Sequence, residues 1–131
     1  MQFVGEAGSG HAIVLDGKPE NGGRDTGARP MELVLVALAG CTAMDVKHVL
    51  MRMRQDVSGL QVKVQAERAD EHPKVYTDIQ LEYVVRGRNL SEKAVTDAVK
   101  LSQDKYCSVS AMLAETAQIG YTIKIMDETG A

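Results

Sequence analysis

The segment from Leu33 to Arg54 constrains this chain more than any other. From Leu33 to Gly40 every residue is apolar or small, so a helix there has no polar side. Such a helix half must be buried all round. From Cys41 to Arg54 the pattern turns amphipathic: Met44, Val46, Val49, Leu50 and Met53 gather broadly on one side, while Asp45, His48 and Arg52 form a polar row at i, i+3 and i+7. Pro30 opens this helix, where a missing N–H costs nothing. Glu32 stands in the first turn, where the helix dipole favours an anion. The β-prone residues from Gly59 onward end it. One sheet face cannot cover an apolar helix on every side, so the segment also predicts a second subunit that supplies the rest.

Around this helix the periodicity is that of strands. Residues 11–15 form a short apolar strand, and Asp16-Gly17 starts a turn. Residues 17–29 are a polar, Gly-rich loop, expected to be mobile; loops this long are more often functional or disordered than neutral. Val62, Val64 and Ala66 alternate with Gln61, Lys63, Gln65 and Glu67. After a polar connection at 68–74, Val75, Thr77, Ile79, Leu81, Tyr83 and Val85 alternate with Asp78, Gln80, Glu82 and Arg86. Period-two alternation with one wet face predicts an antiparallel pair. Ser91 caps a second helix running to about Lys105, with inner face Ala94, Val95, Ala98, Val99, Leu101 and Ser102. A short helical stretch follows Cys107 to about Ala117, and a last strand carries Ile119, Tyr121, Ile123 and Ile125. The fold class expected is α+β, an antiparallel sheet with helices on one face, in a single domain spanning 1–131.

Composition excludes several functions. The chain has 131 residues, 44% hydrophobic and 25% charged, with a net charge of −3, no Trp and one Phe. That offers neither the basic footprint nor the aromatic stacking surface of a nucleic-acid binder. No basic amphipathic face suggests membrane binding. The run Leu38-Ala39-Gly40-Cys41 looks like a lipoprotein cleavage box, but its apolar stretch begins only at Leu33, after several acidic residues, which is wrong for a signal peptide. The Leu33–Gly40 run is also far short of the ~20 apolar residues of a transmembrane helix. A soluble, cytoplasmic protein is expected.

Two cysteines in a chain of this size do not make an extracellular disulfide framework. Cys41 sits where the first helix stops being apolar; Cys107 sits at the start of a short helical stretch, where N–H groups can lower a thiol pKa. No C-x-x-C and no clustered His spacing is present, so neither a thioredoxin-like site nor a zinc site is indicated. From pattern alone two readings stay open: a redox pair, or two buried small hydrophobes. Cys41, Asp45 and His48 share one side of one helix, yet residues seven apart are separated by about 10 Å along the axis. A direct Cys41–His48 couple is therefore out of reach, and a solvated Asp45–His48 pair is the plainer reading. No phosphate-binding glycine motif and no nucleophile elbow occurs.

The runs Pro30-Met31-Glu32-Leu33 and Ala37-Leu38-Ala39-Gly40-Cys41-Thr42-Ala43-Met44-Asp45 together resemble the first cysteine helix of the OsmC/Ohr family, the bacterial osmotically inducible and organic hydroperoxide resistance proteins. Lys105-Tyr106-Cys107-Ser108-Val109-Ser110-Ala111-Met112-Leu113 resembles its second cysteine motif. The wording of both is nearest to the YhfA-like branch, and the element order matches from about residue 10 onward. The resemblance implies an intertwined homodimer with antiparallel sheets packed around two long central helices and active sites at the interface. It implies that Cys41 is the peroxidatic cysteine and Cys107 the resolving one, in a thiol-dependent peroxidase that reduces organic hydroperoxides and is restored by an external dithiol, with no cofactor and no metal. Peroxidase members carry a glutamate directly after the helix-opening proline, where this chain has Met31, and an arginine in an N-terminal glycine-rich turn, where it has Gly8-Ser9-Gly10-His11. Glu32, Arg24 and Arg29 are the candidate thiolate-stabilising substitutes. The alternative is a non-catalytic small-ligand-binding or redox-sensing protein on the same fold.

Overall fold

A computed structural model describes residues 1–128; the last residues of the expected 1–131 domain, 129–131, lie outside the described ones. The elements in order are β1 (Gln2–Glu6), β2 (Ala12–Asp16), α1 (Pro30–Arg52), β3 (Asp56–Arg68), β4 (Tyr76–Arg88), α2 (Glu92–Leu101), α3 (Ser108–Leu113) and β5 (Gln118–Asp127). A single turn of 3₁₀ helix, Pro19–Asn21, precedes α1, and a π turn, Ser102–Tyr106, joins α2 to α3. The expected α+β class is the observed one. The chain forms two compact units, Met1–Ala37 and the part from Leu38 onward.

In the first unit, β1 and β2 pair as an antiparallel hairpin. The loop that follows departs from the expected mobile segment. Asp16 is almost fully buried. Its carboxylate accepts from the N–H groups of Gly17 at 2.8 Å, Arg24 at 3.1 Å and Thr26 at 3.2 Å, and from the Thr26 hydroxyl at 2.6 Å. These donors, the Thr26 hydroxyl foremost, hold its pKa far below the usual carboxylate range against the cost of burial. One strand-end carboxylate thus gathers the loop around itself. The loop's glycines permit the closeness: a Cβ on Gly27 would stand 2.6 Å from the Val14 carbonyl oxygen, and one on Gly23 would strike the Gly17 backbone.

In the second unit, β3, β4 and β5 form one sheet with β4 in the centre. The β3–β4 hairpin is antiparallel, in line with its alternation. β5, however, runs parallel to β4, against the expectation of an all-antiparallel sheet. Parallel neighbours need a long crossover, which α2, the π turn and α3 supply between the two strands. As the central strand, β4 buries Ile79, Leu81, Tyr83 and Val85 on one face, with Val84 also covered near its end. On α2, Val95, Ala98 and Val99 are fully buried at i, i+3 and i+4. Ser91 caps it by accepting from the Ala94 N–H at 3.1 Å, while Leu101, assigned to the inner face from sequence, is partly exposed.

Helix α1 ends at Arg52, before Gly59, which instead lies inside β3 at a bulge. Arg54 adopts φ +57° just beyond the helix, so the chain turns there without a glycine. The buried residues of α1 are Leu38, Thr42, Val46 and Leu50, a stripe at i+4 spacing. The expectation that Leu33–Gly40 is buried all round fails for the single chain: Val36 is 62% exposed and Leu38 alone of that run is buried. Met44 on the same helix is 76% exposed. The apolar window also extends further than the eight-residue run suggested. α1 has 23 residues and a best-window mean hydropathy of 1.7, within the range of a spanning helix by length and composition. Its Leu38–Leu50 stripe is nonetheless packed into protein, the pattern of a core helix near its surface.

Candidate active site

The second unit brings Cys41 and Cys107 together. Cys41 is half-buried on α1, and Cys107 is buried at the N-cap of α3; both are free thiols. Their sulfurs and a carboxylate oxygen of Asp45 all lie within 4.8 Å of one another. Helical spacing accounts for Asp45, four residues after Cys41 and so on the same face. The π turn accounts for Cys107. By inserting a wider turn after α2, it brings the Cys107 N–H onto the Ser102 carbonyl at 2.8 Å and restarts the helix in a new direction at Ser108. Such turns occur frequently at functional sites.

Burial raises the Cys107 thiol pKa above its ordinary value. The hydrogen bonds from Ser110, including its N–H to Sγ at 3.4 Å, pull the other way and lose; the neighbouring Cys41 thiol adds to the rise. The helix start therefore does not make Cys107 a ready thiolate, contrary to what its position alone suggests. A thiol held protonated in the fold releases its proton more easily in the unfolded chain, whose value is about 8.5. Its contribution to stability is complete below that pH and is lost as pH rises through the folded value. We expect the melting temperature of the reduced protein to fall as pH rises above about 8.5, and the slope to shrink in Cys107→Ala; equal slopes would contradict the assignment.

Behind the sulfurs lies a polar cluster that the sequence did not announce. Thr42 Oγ1 lies 2.7 Å from both Tyr83 Oη and Ser102 Oγ. Ser102 donates to Asp45 Oδ2 at 3.0 Å. Gln103 Nε2 donates to Thr42 Oγ1 at 3.1 Å and to Tyr83 Oη at 2.8 Å, and its Oε1 accepts from Ser110 Oγ at 3.0 Å. No buried side-chain nitrogen or oxygen among the described residues is left without a partner. Burial raises the Tyr83 pKa, against the Thr42 and Gln103 bonds, so the phenol keeps its proton. The Tyr83 ring meets Tyr121 edge-on at 6.0 Å between centroids. Asp45 thus takes its bond from Ser102, and no Asp45–His48 ion pair exists among the described residues; His48 is exposed. One signal could have found it: Thr42 is the polar member of an otherwise apolar i+4 stripe.

The remaining sequence candidates belong to the first unit, where each has local partners. Glu32 accepts from the Arg29 N–H at 2.8 Å, satisfying a backbone donor at the start of α1. The Arg29 guanidinium pairs with Asp25 at 2.7 Å and donates to the Gly27 carbonyl at 3.0 Å; the Asp25 bond raises its pKa. Arg24 lends its backbone N–H to Asp16 while its side chain is exposed.

Two cavities border the site's helix. A groove of about 500 Å³ lined by Ala43, Met44, Lys47, His48, Met51 and Leu60 touches neither sulfur. A smaller one of about 200 Å³ has Asp45, His48, Val49, Arg52 and Tyr106 in its wall and likewise touches neither sulfur. Two thiols and one carboxylate make three donors, one short of a closed structural zinc site.

An α+β chain that joins two cysteines from separate helices over a buried hydroxyl network is a dithiol protein. Residues 22–122 match the OsmC-like protein family, and the chain belongs to that family. It is 44% identical to the protein YhfA of Escherichia coli K12 over 96% of this chain and 91% of that one. A solved structure of a hypothetical protein from Aquifex aeolicus has 34% identity and a TM-score of 0.78, covering 96% of this chain and 89% of that one. A structure from Legionella pneumophila, described as an organic hydroperoxide resistance protein OsmC, has 14% identity and a TM-score of 0.66, covering 95% of each chain, and is similar in fold.

Proposed function

We propose that this protein is a cytoplasmic thiol peroxidase that reduces organic hydroperoxides to alcohols. The observation that carries the reading is the approach of the Cys41 and Cys107 sulfurs to within 4.8 Å from two separate helices. The Legionella pneumophila structure of similar fold is described as an organic hydroperoxide resistance protein, which accords with the reading. Cys41 sulfur attacks the distal peroxide oxygen; the O–O bond breaks and the alcohol leaves, giving Cys41 sulfenic acid. Cys107 then displaces water from that sulfenic sulfur, and a disulfide forms. An external dithiol returns both thiols by exchange. The more exposed Cys41 suits first contact with substrate, and the buried, protonated Cys107 suits a group that waits for the sulfenic acid.

The reading includes a homodimer, since Phe3 at 64%, Val36 and Met44 expose apolar surface that a second copy would cover. It takes neither nucleic acid nor membrane as partner. Arg24, Arg29 and Glu32 keep a supporting role only if they exchange their local partners for the Cys41 thiolate.

The test is a single turnover. Fully reduced protein is mixed with one equivalent of cumene hydroperoxide, and free thiols are counted with time. Loss of two thiols per chain, with one equivalent of cumyl alcohol and a Cys41–Cys107 disulfide, is expected. Reaction of Cys41 no faster than glutathione would overturn the proposal.

A further inference from the structure

We propose that Asp45 is the proton-transfer group for both steps of this peroxidase cycle, a proposal that rests on the function proposed above. Three observations carry it. A carboxylate oxygen of Asp45 lies within 4.8 Å of both reacting sulfurs, a span that one water bridges. Asp45 also lies in the wall of a cavity of about 200 Å³, with His48, Val49, Arg52 and Tyr106.

The third observation is the direction of the hydrogen-bond chain. Ser102 gives its one hydroxyl proton to Asp45 Oδ2. The Thr42–Ser102 contact then needs the Thr42 proton, and the Tyr83–Thr42 contact needs the Tyr83 proton. Gln103 Nε2 is a donor to both Thr42 and Tyr83 and can absorb no proton. Reversing the chain would leave the Tyr83 hydroxyl proton without an acceptor in a fully buried place. The network therefore holds Oδ2 as an acceptor whether or not the carboxyl is charged. The lone pairs of the carboxylate that Ser102 does not engage are left to pick up and release a proton.

The steps balance as follows. In the first, the Asp45 carboxylate takes the Cys41 S–H proton while the sulfur electron pair attacks the distal oxygen of ROOH. The S–O bond forms, the O–O bond breaks, and the leaving alkoxide takes the proton from Asp45 as ROH. Cys41 is oxidised to sulfenic acid and the peroxide is reduced. In the second, the Asp45 carboxylate takes the Cys107 proton as the Cys107 sulfur attacks the Cys41 sulfenic sulfur. The S–S bond forms, the S–O bond breaks, and the hydroxide leaves as water with that proton. A base is useful here because burial keeps Cys107 protonated at neutral pH. The titratable or charged groups around Asp45 are Cys41, His48 and Arg52 of its own helix, Tyr106 of the π turn, and Cys107.

The experiment compares whole protein with Asp45→Asn, whose amide oxygen can still accept from Ser102. Rates of Cys41 oxidation by cumene hydroperoxide and of disulfide closure are followed by quenching and mass spectrometry. Asp45→Asn is expected to slow both by about 100-fold near pH 7, the scale of losing a general base. Its rate should climb with pH through the thiol range, as hydroxide takes over the proton, and Asp45→Glu should recover part of the loss. If Asp45→Asn matches or outruns wild type at pH 7, the carboxylate only repels a thiolate and the proposal falls while the peroxidase reading stands. If wild type itself reacts no faster than glutathione, both fall together.

Discussion

Cys41→Ser is expected to lose hydroperoxide reduction by about 10³-fold or more, the scale seen when an enzyme loses its nucleophile. Cys107→Ser is expected to complete one turnover and stop. The difference follows from where the electrons come from. Only sulfur can give two electrons to the peroxide bond at this position, and a serine oxygen can do so neither as a nucleophile nor as a reductant. Without Cys107, Cys41 still reacts, but the chain contains no third cysteine to close the disulfide. The sulfenic acid should then accumulate, be trapped by dimedone as a Cys41 adduct, and pass to the irreversible sulfinic acid under excess peroxide. Intact-protein mass spectrometry separates the outcomes: a stable disulfide in wild type, a dimedone adduct in Cys107→Ser, and no oxidation in Cys41→Ser. Steady cycling of Cys107→Ser at the wild-type rate would remove Cys107 from the mechanism.

Much of this site was legible as sequence, though unevenly. Local rules placed the helix from Pro30, the Ser91 cap and the β3–β4 alternation, because each is decided by near neighbours. The two cysteines were legible through their motifs. What escaped depends on distant residues meeting. Tyr83 reads as one more inward side chain of a strand and Ser102 as one more helix position; only the packed fold puts their hydroxyls either side of Thr42. The polarity of β5 is set by the length of the crossover and not by its own alternation, which reads the same in either direction. The Gly-rich loop looks mobile by composition, but one buried carboxylate, Asp16, satisfies its N–H groups at once. Asp45 was noticed on its polar row and given the wrong partner, since His48 is near in sequence and Ser102 is near in space.

Thr42→Val should cost about 3 kcal/mol of unfolding free energy, a large fraction of the ~5–15 kcal/mol that holds a domain together. Valine has nearly the shape of threonine, so little packing is lost, and the penalty comes from what the hydroxyl leaves behind. Tyr83 loses its acceptor, Ser102 its donor, and Gln103 one of its two acceptors. Thr42, Tyr83 and Ser102 are fully buried, so water does not easily replace the missing group. An orphaned buried polar group costs about 1–3 kcal/mol, and three partly compensated ones give the figure above. Tyr83→Phe removes the hydroxyl at the far end of the chain, and the double variant should cost less than the sum of the two by about 0.5–3 kcal/mol, because both break the same bonds. Urea unfolding at pH 7 of the reduced proteins measures all three. An additive double variant, or a loss under about 0.5 kcal/mol for Thr42→Val, would mean that the hydroxyls do not act as one network. The result bears on the chemistry as well: the same chain of donors ends on Asp45 Oδ2, so Thr42→Val should also loosen the carboxylate held beside the two sulfurs.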